Sequence, residues 1–418
     1  MRYNLRVKVV LSFFLVILVF CLFTSLFGQV SPEGKRCITC HRTLAPGIVS
    51  QWEKSKHHDA GVECDICHGS DHSSAADVGL AKMPTPQTCG NCHADQFEGY
   101  KAGKHASAWI AMEAMPTTKD QPHPVIGGQK GCGGCHKMGL REKAGDPSGK
   151  GEEYHYGLGC DACHTRHVFS KKEAQDSRAC LPCHMGFDHP QWEMWSTSKH
   201  GVINLIEGNS DRAPSCQTCH MHNGDHRVMT SWGFLGLRLP EEDSLWMGYR
   251  TTILKGLGVL DGQGNPTPRL EVVKAGNVAR LTKEEWQAER DKMKGICRNC
   301  HSRAYVDANL TNADQTLKDA DRIFSEAVEI VEDLYRDKVL PAPKDYPPHV
   351  DLLRFYEVHS SIEQDLYLMF MEYRMRTFQG AFHMNPDYMH WYGWAPLKET
   401  LVRIKDEANR MRSRMGEK

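Results

Sequence analysis

The sequence predicts a mainly α-helical fold with little sheet, and three observations support this prediction. Apolar residues make up only 40% of the 418 residues, which is low for a chain that must bury a large core unaided. Sixteen of the 17 cysteines fall in eight Cys-x-x-Cys-His motifs. The C-terminal part has apolar residues at helical spacing. A Cys-x-x-Cys-His motif attaches haem c, because its two thiols bond the porphyrin and its histidine binds the iron. Eight porphyrins would supply the missing apolar filling, with helices and loops wrapped around them.

The predicted haem attachment points are the sixteen motif cysteines: Cys37, Cys40, Cys64, Cys67, Cys89, Cys92, Cys132, Cys135, Cys160, Cys163, Cys180, Cys183, Cys216, Cys219, Cys297 and Cys300. The predicted iron ligands on the same side of each haem are His41, His68, His93, His136, His164, His184, His220 and His301. Zinc ribbons and disulfides are the alternatives. Neither requires a histidine after every cysteine pair, so a multihaem cytochrome c is the better interpretation.

Residues 1–28 have the pattern of a signal peptide or an N-terminal membrane anchor. Arg2, Arg6 and Lys8 precede an apolar run that starts at Val9 and is about 19 residues long. We therefore expect an exported, periplasmic protein, which the N-terminal segment would anchor to the inner membrane if it is not cleaved. The formal net charge of −1 gives no indication of nucleic-acid binding.

Residues 31–301 form the predicted octahaem-binding domain, in which histidines recur at two kinds of position. An aromatic-x-x-x-Lys-His pattern ends at His57, His105 and His200. Another histidine follows a motif by a few residues, at His72, His167, His189 and His226. Neutral imidazole is the usual second ligand of an electron-transfer haem, so these repeats predict distal iron ligands.

The fourth motif, Cys132–His136, differs from the others. Glycine, lysine and acidic residues follow it, with no nearby histidine that could close the opposite face of the haem. We therefore expect this haem to be the site of chemistry and the other seven to carry electrons.

Residues 302–418 form the predicted C-terminal helical domain, a bundle of long helices. Helices are expected at about residues 313–338, 350–378 and 396–414, after a capped helix that begins at Thr282. His359 is expected to be a buried core residue of the second helix. Residues 382–394, rich in aromatic and polar side chains, are expected to form an active-site loop, or else an aromatic plug under a helix hairpin.

Four features together resemble the octahaem hydroxylamine oxidoreductase family over about residues 36–415. These are the order of the motifs, Cys-His-Thr-Arg-His at residues 163–167, Asp188-His189 after the sixth motif, and His-Met-Asn-Pro at residues 383–386. The resemblance implies that the fourth haem is five-coordinate and catalytic, and that Asp188 and His189 lie in its pocket rather than His189 acting as a ligand. It also implies seven distal ligands: His57, His72, His105, His167, His200, His226 and His383. His58 competes with His57 for this role.

The segment after Pro386 bears on the direction of the reaction. Oxidative members of the family carry a tyrosine there that is cross-linked to a neighbouring subunit's catalytic haem. The matching position here is His390, flanked by Tyr388 and Tyr392, with a one-residue uncertainty in register. The sequence is thus similar to the reductive branch.

The resemblance implies a nitrite reductase that also reduces hydroxylamine, with His136, Asp188, His189, Tyr388 and His390 as candidate catalytic residues. A quinol-oxidising membrane cytochrome is the expected electron donor, and a homotrimer the expected assembly. Two alternatives remain. The same fold could oxidise hydroxylamine or hydrazine, or the chain could be a non-catalytic electron conduit, with His123 or His155 closing the fourth haem.

Overall fold

The fold of the chain is mainly α-helical with little sheet, as predicted. The structure, a computed structural model, describes residues 30–108, 133–136, 138, 140–141, 153–154, 159–186, 188–208, 211–233, 235–237, 243–276, 278–279, 281–341, 350–353 and 359–416. Among these residues the sheet consists of one antiparallel pair, Leu140–Arg141 with Glu153–Tyr154. The predicted targeting segment, Cys132, His123 and His155 lie outside the described residues.

Two compact units divide the chain. The first comprises Met1–Cys92 and Gly159–Ala174, and the second comprises His93–Leu158 and Gln175–Lys418. The predicted division at residue 301 stays a prediction. The helices of the first unit are Pro32–Leu44, Pro46–Trp52, Lys56–Asp59, Cys64–His68, Pro86–Gly90 and Lys171–Ala174, with 3₁₀ turns at Ala75–Leu80 and Cys160–Ala162.

The second unit begins with short helices and ends with long ones. Its helices are Ala94–Lys101, Gly133–His136, Gln191–Ser196, Lys199–Glu207, Cys216–His220, Ser244–Gly256, Arg269–Gly276, Lys283–Cys297, Arg303–Arg336, Ser361–Leu368, Met375–Phe382, Pro386–Tyr388 and Ala395–Gly416. It also contains π-helical turns at Met369–Arg374 and Met389–Trp394, and 3₁₀ turns at His105–Ser107, Ser177–Ala179 and His222–Gly224.

The longest helix, Arg303–Arg336, forms the centre of the C-terminal bundle. Ser302 caps it by accepting a hydrogen bond from the Tyr305 amide, and its buried residues recur at helical spacing from Val306 to Leu334. Helix Ser244–Gly256 and helix Ala395–Gly416 both pack against it. The apolar stripe read from the sequence therefore does face a core, although the helix begins ten residues before the predicted start.

Three expectations for the C-terminal region are wrong. The second helix begins at Ser361 rather than at residue 350, because Ser360 and Glu363 form a capping box there. His359 precedes that cap and is exposed, so it is not a core residue. The predicted loop 382–394 is largely helical, because Asn385 caps a new helix with Pro386 in its first turn, and a π-helical turn follows.

A charged network is fully buried in the second unit. Asp321 accepts a hydrogen bond from Arg374 Nε at 2.7 Å and another from Trp246 Nε1 at 2.7 Å. Arg250 Nε lies 3.7 Å from the same carboxylate, and the Arg250 guanidinium stacks 3.8 Å from the centroid of the Trp246 ring. Arg374 also donates to the Leu235 carbonyl at 2.9 Å. The network thus joins three parts of the bundle, through Trp246 on Ser244–Gly256, Asp321 on Arg303–Arg336, and Arg374.

The region between the last two motifs contains a tight turn and the predicted helix capped by Thr282. The Asp261 amide donates to the Asn265 carbonyl at 2.8 Å, and a β-bridge pairs Leu260 with Pro266, which closes a turn at residues 260–266. Thr282 caps helix Lys283–Cys297 through the Glu285 amide at 3.1 Å. None of the helices in the described part of the chain has the length and hydropathy needed to cross a membrane.

Candidate haem ligands and active site

The motif histidines are presented by short helical segments. In helix Cys216–His220, for example, Ser215 and Thr218 form a capping box, and His220 falls in the last turn. Helix Cys64–His68 ends in the same way at His68. None of the described cysteines forms a disulfide, and all are at least partly accessible. A motif that coils through one turn places both thiols and the histidine on one side, as haem attachment requires.

Five motif histidines each lie opposite a histidine that the sequence marks as a distal ligand. The pairs and their ring-centroid separations are His41–His72 at 6.2 Å, His68–His167 at 6.3 Å, His105–His184 at 6.1 Å, His200–His301 at 5.9 Å and His220–His383 at 6.3 Å. The members of each pair belong to the same compact unit.

These separations fit a shared metal ion. With a metal–nitrogen bond of about 2.0 Å on each side, and about 1.1 Å from ring centre to nitrogen, two imidazoles on one ion have centroids about 6.2 Å apart. All five observed separations lie within a few tenths of an ångström of this value. The side chains therefore fit haem irons bound between two imidazoles.

Hydrogen bonds hold several of these rings with one nitrogen free for a metal. Nδ1 of His220 lies 2.8 Å from the Met229 carbonyl, and Nδ1 of His383 lies 2.8 Å from the Gln379 carbonyl. A carbonyl oxygen can only accept, so Nδ1 carries the proton and the neutral ring keeps its lone pair on Nε2. Nδ1 of His68 lies 2.9 Å from the Lys82 carbonyl in the same arrangement.

Burial keeps many of these rings neutral. It lowers the pKa of His184 to about 3 and that of His383 to about 4. Burial likewise lowers the pKa values of a further set of ligand histidines: His105, His136, His167, His200 and His220. Only the neutral imidazole can bind a metal through its lone pair, so these shifts suit ligation.

Two predicted distal ligands have other surroundings. The ring of His57 lies edge-on to Phe169 at 4.9 Å, whereas its competitor His58 lies edge-on to Trp52 at 4.7 Å. Nδ1 of His226 lies 2.8 Å from the Gly224 carbonyl, and His226 helps to line a cavity of about 420 Å³. The remaining motif histidines are His164 in the first unit, and His93 and His136 in the second.

The fourth motif brings three predicted catalytic residues together. Nδ1 of His136 lies 2.8 Å from the Ala108 carbonyl, so its Nε2 is free for iron. The His189 ring lies 6.0 Å from the His136 ring at 75°, and 6.1 Å from the His184 ring. Nδ1 of His189 in turn lies 2.8 Å from Oδ1 of Asp188. The 6.0 Å separation between His189 and His136 falls within the 5.9–6.3 Å range of the five ligand pairs.

The Asp188–His189 pair differs electrostatically from the ligand rings. Burial opposes a charge on His189, but the hydrogen bond and the negative charge of Asp188 outweigh it and raise the pKa of His189. Burial likewise opposes ionisation of Asp188, yet the hydrogen bond from His189 lowers its pKa. In the described part of the chain, burial lowers the pKa of every other histidine whose pKa is shifted. His189 is thus suited to hold a proton near neutral pH.

Tyr388 and His390 are not brought to this pair by any contact among the described residues. Tyr388 is buried and stacks on Tyr392 with centroids 5.0 Å apart. Burial raises the pKa of Tyr388 to about 12, Arg376 opposing the shift and Glu193 adding to it. His390 is exposed and lies edge-on to the exposed Trp391 at 4.7 Å. Their catalytic roles stay predictions.

Sequence reasoning missed a chain of amides that links two predicted haem ligands. Gln191 Oε1 lies 3.2 Å from His184 Nδ1, and Gln191 Nε2 donates to Gln379 Oε1 at 2.7 Å. The Gln379 carbonyl is the group that holds His383. The two glutamines are 188 positions apart, and no sequence pattern marks either.

Glu193 was also missed. Its Oε1 accepts a hydrogen bond from the Gly186 amide at 2.7 Å. Gly186 has a positive φ of 88°, which suits glycine. Glu193 therefore fixes the turn that leads into Asp188 and His189.

Comparison with known proteins agrees with the haem-binding pattern. The family model described as "Seven times multi-haem cytochrome CxxCH" matches residues 60–234 and 269–348. A model described as cytochrome c554 and c-prime matches residues 27–69. Together these matches show a protein with several c-type haems.

Two curated relatives differ in kind. The chain is 26% identical, over 93% of its length, to a probable nitrite reductase–hydroxylamine oxidoreductase fusion protein of Kuenenia stuttgartiensis, and it spans about half of that relative. It is 25% identical, over 39% of its length, to the multihaem cytochrome c subunit of a menaquinone reductase of Nitratidesulfovibrio vulgaris, covering 71% of that protein.

A solved structure shows the same fold. The reducing HAO-like protein complex of K. stuttgartiensis, where HAO denotes hydroxylamine oxidoreductase, contains a chain that superposes with a TM-score of 0.66. The two chains are 24% identical, and the superposition covers 92% of this chain and 86% of that one.

Proposed function

Since the chain belongs to the multihaem Cys-x-x-Cys-His cytochrome family and has the fold of HAO-like cytochromes, we propose that it is a periplasmic octahaem nitrite reductase. The proposed products are hydroxylamine or ammonia, and hydroxylamine is a proposed second substrate. When bound, the haem of the fourth motif supplies the iron that binds nitrite and the electrons that reduce it. The observation that carries the proposal is the half-buried Asp188–His189 pair beside His136.

His189 is the proposed proton donor. Each N–O bond that breaks releases its oxygen as water and consumes protons, so the pocket needs a group that is protonated near neutral pH. Asp188 orients the ring through Nδ1 and raises its pKa, which leaves Nε2–H to face the pocket. Glu193 holds the turn that carries both residues.

The other seven haems are proposed to be held between two histidines each. Five of these pairs are those at about 6 Å. Within the first unit we assign His57 to the haem of His164, and within the second we assign His226 to the haem of His93. Among the described residues His136 then has no assigned distal ligand, unless His189 takes that place; His123 and His155, the candidates that the sequence offers, lie outside them.

An electron conduit is a second candidate, and a specific observation favours it. His189 lies as far from His136 as the distal ligands lie from theirs, so its Nε2 could close the fourth haem. The menaquinone reductase subunit among the relatives is consistent with such a role. The raised pKa of His189, set against the lowered values of the ligand rings, favours the proton donor.

The experiment that separates the two candidates is an EPR and optical study of the ferric holoprotein, followed by dithionite reduction and exposure to nitrite. Nitrite reduction predicts a high-spin haem and reoxidation by nitrite. His189→Ala should keep the high-spin signal and slow nitrite turnover about 100-fold or more. The conduit predicts low-spin haems only, with a high-spin signal created by His189→Ala. His359→Ala, which removes an exposed histidine, serves as the control.

The oxidative alternative has its own test. A tyrosine–haem cross-link would give an absorption band to the red of ordinary haem c and a haem peptide bonded to a Tyr388 or Tyr392 peptide in mass spectrometry. Either finding would replace nitrite reduction by oxidation of hydroxylamine or hydrazine.

Further proposals are a quinol-oxidising membrane cytochrome as electron donor and a homotrimeric assembly. Crosslinking to membrane fractions would test the electron donor, and analytical ultracentrifugation would test the assembly.

A further inference from the structure

One predicted haem ligand in the first unit is held by a carboxylate. Nδ1 of His72 lies 2.9 Å from Oδ1 of Asp77, and both side chains are partly exposed, at 22% and 27%. The His72 ring lies 6.2 Å from that of His41 in the first motif. A carboxylate can only accept a hydrogen bond, so Nδ1 of the neutral ring donates and Nε2 is left for the shared iron.

Other ligand rings are held by neutral oxygens. Of the ligand histidines with a described Nδ1 contact, His68, His136, His220, His226 and His383 face backbone carbonyls, and His184 faces a side-chain amide oxygen. His72 is therefore the one in this described set that donates to a carboxylate.

Hydrogen bonds from its own turn hold the carboxylate of Asp77 in place. Its Oδ1 accepts the Ser74 amide at 2.7 Å and the Ser73 amide at 3.1 Å, and its Oδ2 accepts the Ser73 hydroxyl at 2.8 Å. Asp77 is also the third residue of the Ala75–Leu80 turn, where it completes a capping box with Ser74. Among the described residues no lysine or arginine forms an ion pair with Asp77, so its charge acts on His72.

A hydrogen bond to a carboxylate makes an imidazole a stronger electron donor to its metal. A stronger donor stabilises the ferric state relative to the ferrous state, which lowers the reduction potential. We propose that Asp77 sets the haem held by His41 and His72 to a lower reduction potential than the haems whose ligands donate to neutral oxygens. The inference goes beyond nitrite chemistry and holds equally for a conduit. In either case this haem, once reduced, is a strong reductant for the others.

The test is a spectroelectrochemical titration of the holoprotein and its variants. His72→Met first identifies the component that belongs to this haem, since a His/Met ligand set raises the potential. In Asp77→Asn, which keeps an oxygen for the Ser73 and Ser74 amides, that same component should move to a more positive potential while the rest stay in place. Asp71→Asn is the matched control. Asp71 precedes His72 in the sequence, and its exposed carboxylate pairs with Lys82 rather than with His72.

Two results would overturn the proposal. In one, the component marked by His72→Met keeps its potential in Asp77→Asn. In the other, Asp71→Asn moves it as far as Asp77→Asn does, which would make the effect one of general charge. Neither result depends on nitrite turnover, so the nitrite reductase proposal stands or falls separately.

Discussion

Replacing Asp321 by asparagine should destabilise the C-terminal bundle strongly. The carboxylate is fully buried and binds Arg374 and Trp246 at 2.7 Å each, with Arg250 nearby. Asparagine keeps the shape and one acceptor oxygen but removes the charge. A buried guanidinium then faces a neutral partner in a medium that solvates it poorly.

The size of the effect follows from the burial of both partners. Breaking a buried ion pair from one side costs about 3–5 kcal/mol. At about 2 °C per kcal/mol for a large domain, the melting temperature should fall by about 6–10 °C.

Thermal unfolding of the holoprotein, followed by far-ultraviolet circular dichroism at a fixed scan rate, measures this difference. Asp319→Asn is the matched control, since Asp319 lies on the same helix, is only half-buried, and accepts a hydrogen bond from neutral Gln315 at 3.3 Å. The control should melt within about 1 °C of wild type. If Asp321→Asn also melts within that range, the network does not stabilise the bundle.

Three further predictions concern the site and its supports. Nitrite turnover should fall as the pH rises through the raised pKa of His189, because only the protonated ring donates a proton. In Asp188→Asn the alkaline limb of the rate–pH profile should move to lower pH. If that limb does not move, Asp188 does not raise the pKa of His189. His383→Ala should add high-spin signal to the ferric EPR spectrum by removing one ring of a pair, and an unchanged spectrum would show that His383 is not a ligand. Gly201→Ala should lower the melting temperature, because the added Cβ would overlap a neighbouring backbone carbonyl. Gly295→Ala lies in open space within a helix and should raise the free energy of unfolding by about 0.5–1 kcal/mol. Equal effects of the two changes would contradict the packing argument.

The haem attachment pattern could be read from the sequence because it is local. Each Cys-x-x-Cys-His motif carries its chemistry within five consecutive residues, and repeated histidines nearby indicated distal ligands. The identity of each pair could not be read in this way. His68 pairs with His167 and His220 with His383 across long stretches of chain, and only the fold brings them together.

Supports around the ligands were less predictable still. Asp77, Gln191 and Gln379 act through single hydrogen bonds, which impose no spacing on the sequence. Helix periodicity located the long helix ending at Arg336 but misplaced His359, because a capping box one residue later starts the helix. Periodicity reports which face is buried and does not report where a cap interrupts the backbone.

The π-helical turn Met389–Trp394 has a consequence for comparing this chain with its relatives. A π turn is the structure that an α-helix adopts when one residue is inserted without breaking the helix. Positions counted across it are shifted by one against a chain whose helix is uninterrupted. His390 lies inside this turn, so its register against a relative whose helix is uninterrupted is uncertain by one residue. Alignments of this family should place their gap inside the turn and anchor Tyr388 from the Asn385 cap on its other side.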